Sequence, residues 1–152
     1  MRRVREMELA GQPKPHSDLP EPGTLVGEFI ATTLDGRTIS EAIFAHGPSS
    51  AVFLISGCSS CSIIVEELAR SCADDAPLVV FLGGSASDPE VRTVIEALPD
   101  HAVVALIDPI SHPARKAMKV SAYPAVLNIV DGVVTYASSR MTSETRQTVN
   151  EG

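Results

Sequence analysis

Two cysteines separated by two residues lie between an apolar run and a helical pattern. Residues 51–56 form an apolar run with β-branched members, which is typical of a central strand buried on both faces. Cys58 and Cys61 follow, and apolar side chains recur at helical spacing from residue 59 to about 72. A thiolate at a helix N-terminus faces unpaired backbone N–H groups and the positive end of the helix macrodipole, which favour the ionised nucleophile. The pattern predicts a redox-active dithiol in a strand-to-helix turn.

The rest of the sequence alternates between apolar runs and helical patterns. Asp35-Gly36 lies between two short apolar runs and predicts a hairpin around a type I′ turn, and Asp131-Gly132 between two further runs predicts a second hairpin. The predicted strands are residues 29–34, 37–39, 51–56, 78–82, 102–107, 125–130 and 133–136, and the predicted helical segments are 40–45, 59–72, a helix that begins at Ser87 or Asp88, 111–119 and 142–149.

Length, composition and charge define one domain and exclude some classes of partner. The chain has 152 residues, 44% of them hydrophobic, which is enough for a single domain with its own core. Residues 1–23 are polar and rich in proline, so we expect a flexible leader there and a folded domain over 24–152. A formal net charge of −7 opposes nucleic acid and anionic membrane surfaces as partners. No apolar run approaches the roughly 18 residues of a transmembrane helix.

The order of the predicted elements and three sequence segments resemble thioredoxin-like proteins. Residues 51–61 resemble their active-site strand and turn, and residues 122–125, with the sequence AYPA, resemble the loop before the cis-proline strand. Residues 27–36 resemble the N-terminal hairpin of the redoxin branch, which includes the bacterial TlpA-, ResA- and MauD-like thiol-disulfide oxidoreductases. The resemblance implies an α/β fold with a central mixed β-sheet flanked by helices and an N-terminal β-hairpin.

The dithiol and the resemblance together suggest a role for each site residue. Cys58, nearer the helix start, is expected to attack a partner disulfide, and Cys61, one turn deeper, to resolve the mixed disulfide. The exchange needs no cofactor and no metal. The resemblance implies a cis bond at Pro124 and substrate contacts at Tyr123, Pro124 and Gly57. Ser59 and Ser60 form the active-site turn and tune the dithiol.

Two positions depart from the thioredoxin pattern. Val52 stands six residues before the first cysteine, where thioredoxins hold a buried acid that assists proton transfer from the resolving thiol. Gly57 stands where they carry tryptophan, and the chain contains no tryptophan. We therefore expect proton transfer by that route to be impaired and the flat apolar surface beside the thiol to be reduced.

The expected partner is a protein that carries a thiol or a disulfide, and the protein is expected to act as a monomer. The basic residues Arg2, Arg3 and Arg5 resemble the juxtamembrane stretch of TlpA- and MauD-like proteins. On that resemblance the domain is extracytoplasmic and tethered through an upstream anchor in a longer native form. An ordinary N-terminus of a cytoplasmic protein is the alternative.

Other functions remain open for the cysteines. The Cys58–Cys61 pair could be half of a zinc site or an inert structural disulfide. Cys72 is expected to be a small buried apolar residue, with a third redox centre as the alternative. The whole protein could instead be a peroxiredoxin-like thiol peroxidase, although the usual proline before the peroxidatic cysteine is absent from Ser56-Gly57-Cys58. It could also be a redox-inactive thioredoxin-like adaptor.

Overall fold

The computed structural model describes residues 19–71 and 76–139. Its elements, in chain order, are β1 (Ile30–Thr32), β2 (Thr38–Ser40), a 3₁₀ turn (Glu41–Phe44), β3 (Pro48–Ile55), α1 (Ser59–Ser71), β4 (Leu78–Gly83), α2 (Pro89–Ala97), β5 (Val103–Ile107), α3 (Pro113–Ala117), β6 (Ala125–Val130) and β7 (Val133–Ser138). The strands and helices predicted within the described residues are present with shifted ends.

A mixed five-stranded sheet forms the centre of the domain. Its strand order is β5-β4-β3-β6-β7, with β3, β4 and β5 parallel to one another and β6 antiparallel to both β3 and β7. β3 therefore has a neighbour on each side, and its residues 49–54 are all buried. A separate antiparallel hairpin, β1 with β2, lies at the N-terminal end. This architecture confirms the predicted fold class and the predicted central strand.

The sheet separates two hydrophobic clusters because successive side chains of a strand point to opposite faces. On one face Phe53 stacks on Phe81 with ring centroids 4.7 Å apart, and the N-terminal hairpin covers them. On the other face Val52 and Leu54 pack against α1 and α2. Burial of each large apolar side chain contributes roughly 1.5–3 kcal/mol, so the first cluster fixes the hairpin against the sheet and the second fixes α1 and α2.

Helix α2 begins at a well-formed cap. Asp88 is the N-cap, and its side chain accepts a hydrogen bond of 2.9 Å from the backbone N–H of Glu90. Pro89 follows at the first helical position, where its missing N–H leaves no intrahelical bond unmade. The prediction that the helix begins at Ser87 or Asp88 is confirmed at Asp88, and the cap places Glu90 in the first turn.

The turn type predicted at Asp35-Gly36 is wrong. A type I′ turn needs positive φ at both central residues, but among the described non-glycine residues only Lys119 and Asp131 have positive φ. Gly36 alone, at φ +87°, is left-handed in the first hairpin, and its N–H donates to the carbonyl of Thr33 at 3.0 Å. The loop is thus a type I turn closed by a left-handed glycine, held by a hydrogen bond from the Thr33 hydroxyl to the Asp35 carboxylate.

The hairpin predicted at Asp131-Gly132 is present, and its turn is of type I′. Asp131 and Gly132 have φ angles of 52° and 81°, as a type I′ turn between β6 and β7 requires.

Several sequence predictions lie outside the described residues or stay untested. The helix predicted for 142–149, Cys72 and residues 1–18 of the leader lie outside them. At the end of the predicted leader, Leu19 packs against the core and the N–H of Gly23 donates to the carbonyl of Val134 at 2.7 Å. The boundary at residue 24 stays a prediction. Within residues 19–71 and 76–139, none of the helices has the length and apolar character to cross a bilayer.

Candidate active site

The two cysteines lie at the carboxyl end of the central strand. β3 ends at Ile55, Gly57 turns the chain with φ +78°, and α1 begins at Ser59. Because β3, β4 and β5 run parallel, the loops that follow them meet at the same edge of the sheet. Segments far apart in the sequence therefore surround the cysteines.

Cys58 acts as the N-cap of helix α1 through both its backbone and its sulfur. Its carbonyl accepts the N–H of Ser62 at 3.2 Å, which is the first bond of the helix. Its Sγ accepts the backbone N–H of Cys61, also at 3.2 Å. The side chain is partly exposed. This hydrogen bond satisfies one of the backbone N–H groups left unpaired at the start of α1, so the Cys58 sulfur is held at the helix N-terminus, within reach of solvent.

Cys61 lies in the opposite environment. It is only 2% exposed and packs in the same cluster as Val52 and Leu54. Burial, which removes water from the thiolate, raises the pKa of Cys61 to about 12, with further increases from the neighbouring Cys58 and a partly opposing hydrogen bond at Ile55. The pair thus combines a partly exposed sulfur at the helix N-terminus with a buried sulfur that favours the protonated thiol.

Val52 belongs to the cluster that surrounds Cys61. Its side chain is fully buried, at the strand position where the thioredoxin resemblance places an acid. An apolar side chain offers no proton acceptor to the Cys61 thiol.

Tyr123 and Pro124 lie beside the cysteines because of the pairing of β3 with β6. The last pair of that ladder is Phe53 with Ala125, so the two residues before Ala125 come next to the end of β3. The Tyr123–Pro124 peptide bond is cis. Tyr123 packs against the cluster that contains Cys61.

The hydroxyl of Tyr123 is fixed on the far side of the site. It donates a hydrogen bond of 2.9 Å to the carbonyl of Pro109, and the Arg115 guanidinium lies 5.4 Å from the ring centroid. Burial raises the pKa of Tyr123, Arg115 opposes that rise, and the negative charges of Asp108 and Cys61 add to it. Because Tyr123 and Cys58 both pack against the cluster that contains Cys61, the tyrosine and the dithiol lie side by side.

The structure brings a further set of residues to Cys58 that the sequence reasoning missed. A cleft of about 340 Å³ opens beside Cys58, and the described residues that line it are Gly57, Cys58, Ser62, Glu90, Thr93 and Val94. Glu90 comes from the first turn of α2, and a Cβ added at Gly57 would lie 3.3 Å from its Oε1. The available signal was the helix start at Asp88-Pro89-Glu90, just after a strand parallel to the one that carries the dithiol.

Ser59 and Ser60 are the first two residues of α1. Within the described ranges, no three or more His, Cys, Asp or Glu side chains are grouped so that they could hold a metal ion.

The sheet order, the dithiol at the end of the central strand and the hairpin before it define a thioredoxin-like fold, and comparison with solved structures shows the same fold. The thioredoxin domain of a thiol-disulfide oxidoreductase from Bacteroides vulgatus superimposes with a TM-score of 0.66 at 15% identity, covering 87% of this chain and 97% of that one. A secreted disulfide oxidoreductase from Mycobacterium tuberculosis, homologous to Escherichia coli DsbE, has a TM-score of 0.64 at 18% identity, over 81% and 95% of the two chains.

An exposed lipoprotein thioredoxin from Streptococcus pneumoniae has a TM-score of 0.55 at 19% identity, over 82% of this chain and 99% of that one. No protein-family model matches the sequence, and a search of curated proteins gives no significant match. At these identities the likeness establishes the fold.

Proposed function

We propose that this protein is a thiol-disulfide oxidoreductase that exchanges disulfides with a partner protein through Cys58 and Cys61. One observation carries the proposal: the Sγ of Cys58 accepts the N–H of Cys61 at the start of α1, while the Cys61 thiol itself is buried. That division between an accessible nucleophile and a protected second thiol is what disulfide exchange through a mixed disulfide requires.

The exchange proceeds in two steps that balance. The Cys58 thiolate attacks one sulfur of a partner disulfide, a bond forms between the two sulfurs, and the other partner sulfur leaves as a thiolate. Cys61 then loses its proton and attacks Cys58, which forms the Cys58–Cys61 disulfide and releases the second partner thiolate. The partner gains two electrons and the dithiol loses two, and the reverse sequence oxidises a partner dithiol.

The partner is proposed to lie across the edge formed by Gly57, Tyr123 and Pro124. These residues flank the dithiol on both sides, because Gly57 precedes Cys58 directly and Tyr123 packs against the cluster that holds Cys61. Ser59 and Ser60 lie between the two cysteines in the first turn of α1, where they influence the relative stability of thiolate and disulfide.

We further propose that residues 24–152 form the domain and residues 1–23 a leader. We also propose that the protein acts outside the cytoplasm, tethered through an anchor in a longer form. The basic residues near the N-terminus support this placement, and two of the structural neighbours are a secreted oxidoreductase and an exposed lipoprotein. Cell fractionation of the native gene product tests it, and recovery in the cytoplasmic fraction would contradict it.

The function is tested by trapping the mixed disulfide. The variant Cys61→Ser can attack but cannot resolve, so it should accumulate a covalent complex with a disulfide-containing protein that reductant dissolves. The matched control Cys58→Ser, which lacks the attacking sulfur, should form none.

The reduction potential of the pair then separates catalysis from structure. A reversible couple between about −120 and −270 mV against glutathione supports exchange. A pair that stays oxidised below about −300 mV indicates a structural disulfide and favours the adaptor.

A further inference from the structure

The cleft beside Cys58 has one acidic wall. Glu90, on α2, is the charged residue among the described residues that line it, and Ser62, Thr93 and Val94 supply hydroxyl and apolar surface. Cys58 itself lines the same cleft. A group of a partner molecule that enters the cleft is therefore close to the attacking sulfur and to a carboxylate at once.

Gly57 is what allows the carboxylate to come so close. A side chain at residue 57 would begin 3.3 Å from the Oε1 of Glu90, which is tight for a Cβ, and the φ of +78° already favours glycine. Where the thioredoxin resemblance places the flat indole of a tryptophan, this chain has an open cleft with a negative charge.

We propose that this cleft binds a positively charged group next to the disulfide that Cys58 attacks, so that the protein prefers partner disulfides flanked by lysine or arginine. The inference rests on the proposed exchange activity and names its substrate class. A cation beside the scissile disulfide gains Coulomb energy from Glu90 during attack, and an anion loses it.

Arg115, the cation beside Tyr123, does not cancel this preference within the cleft. Arg115 lies over the ring of Tyr123 and donates to the carbonyl of Ile110, so its charge is engaged on the far side of the dithiol. A purely structural role for Glu90 is the alternative, because a carboxylate in the first turn stabilises a helix. That role affects the stability of α2 and leaves charge selection unchanged.

The test compares three small disulfides of different charge with the reduced protein. The probes are cystamine, which is cationic, 3,3′-dithiodipropionate, which is anionic, and 2-hydroxyethyl disulfide, which is neutral. The rate of attack by Cys58 is followed by quenching with an alkylating reagent and measuring mass. With a carboxylate roughly 6 Å from the probe charge, attraction and repulsion each change the rate about three-fold, so the cation-to-anion rate ratio attributable to Glu90 is about ten-fold.

With each rate expressed relative to that of the neutral disulfide, which absorbs any general effect on Cys58, the variant Glu90→Gln should lower that ratio about ten-fold, and Glu90→Lys should reverse the preference. Both effects should shrink in high salt. The matched control is Glu96→Gln, which removes the same charge from the far end of α2 outside the cleft and should keep the wild-type ratio.

Two outcomes overturn the proposal in different ways. An unchanged ratio in Glu90→Gln, with normal attack on the neutral disulfide, refutes charge selection and leaves the exchange activity standing. No attack on any of the three disulfides refutes the exchange activity, and the substrate class with it.

Discussion

The second step of exchange should be limited by ionisation of Cys61, and its rate should follow pH far into the alkaline range. The pKa of Cys61 is raised from 9.0 to about 12, chiefly because burial removes water from the thiolate. That difference of three pH units lowers the thiolate fraction at neutral pH roughly a thousand-fold. A more basic thiolate is also a better nucleophile, which raises the rate of the resolving step about twenty-fold. The net slowing is about fifty-fold relative to an ordinary thiol.

The fifty-fold slowing is an upper limit for the resolving step, in which Cys61 attacks Cys58. Part of the rise in the pKa of Cys61 comes from Cys58, whose thiol is consumed once the mixed disulfide has formed. The larger contribution, burial, is unaffected, so the apparent pKa of the resolving step should stay above 9.0.

The assay uses an aromatic disulfide, DTNB, that releases a coloured thiolate at each step. In a Cys72→Ala background, Cys58 releases the first equivalent and Cys61 the second. The second phase should accelerate about ten-fold per pH unit from about pH 6 to pH 9 without levelling off, and Cys61→Ser should show the first phase alone. A second phase that reaches a plateau below pH 9 would refute the reasoning, because it would mean that burial does not hold the proton on Cys61.

Three further predictions follow from single contacts. Val52→Asp should speed the second DTNB phase at neutral pH, because it supplies a base in the cluster of Cys61, and should lower the unfolding free energy by about 1–3 kcal/mol in urea titrations. Gly84→Ala should lower the unfolding free energy by more than about 1 kcal/mol, because Gly84 has a φ of +146° and an added Cβ would lie 2.6 Å from a methyl of Val91. Gly36→Ala, which has open space around it, should lower the unfolding free energy by only about 1 kcal/mol. Burial lowers the pKa of His112 below 6.5. Neutral His112 therefore contributes stability above pH 6.5, and this contribution is lost as the pH falls through the lowered pKa of the folded state. His112→Asn should remove this part of the pH dependence of thermal unfolding.

The sequence predicted the sheet well because strands buried on both faces leave little room for polar residues. The run before the dithiol and the run at 78–82 are apolar for that reason, the run at 125–130 is apolar except for the buried Asn128, and all three are inner strands. The sequence does not determine the type of the turn at Asp35-Gly36, because Asp-Gly suits both a type I′ turn and a longer loop closed by one left-handed glycine.

The site could be predicted only where it is local in the sequence. Cys58 and Cys61 are fixed by one turn of one helix, so the spacing reveals them. Glu90 reaches Gly57 only because α2 follows a strand parallel to β3 and packs beside α1. The position of that carboxylate depends on the tertiary arrangement, and neither hydrophobic periodicity nor motif spacing contains it.

The hydrogen bond from the Cys61 N–H to the Cys58 sulfur links helix stability to electron transfer. It caps α1 in the reduced protein, and the cap is strongest when the sulfur carries a negative charge. Oxidation converts that sulfur into a neutral disulfide and weakens the cap. A cap that is about 1.4 kcal/mol stronger in the reduced protein than in the oxidised one makes the two-electron reduction potential about 30 mV more oxidising than that of an uncapped pair. The amide of Cys61 should then exchange its hydrogen more slowly in the reduced protein than in the oxidised one, so a single backbone N–H reports the redox state of the dithiol.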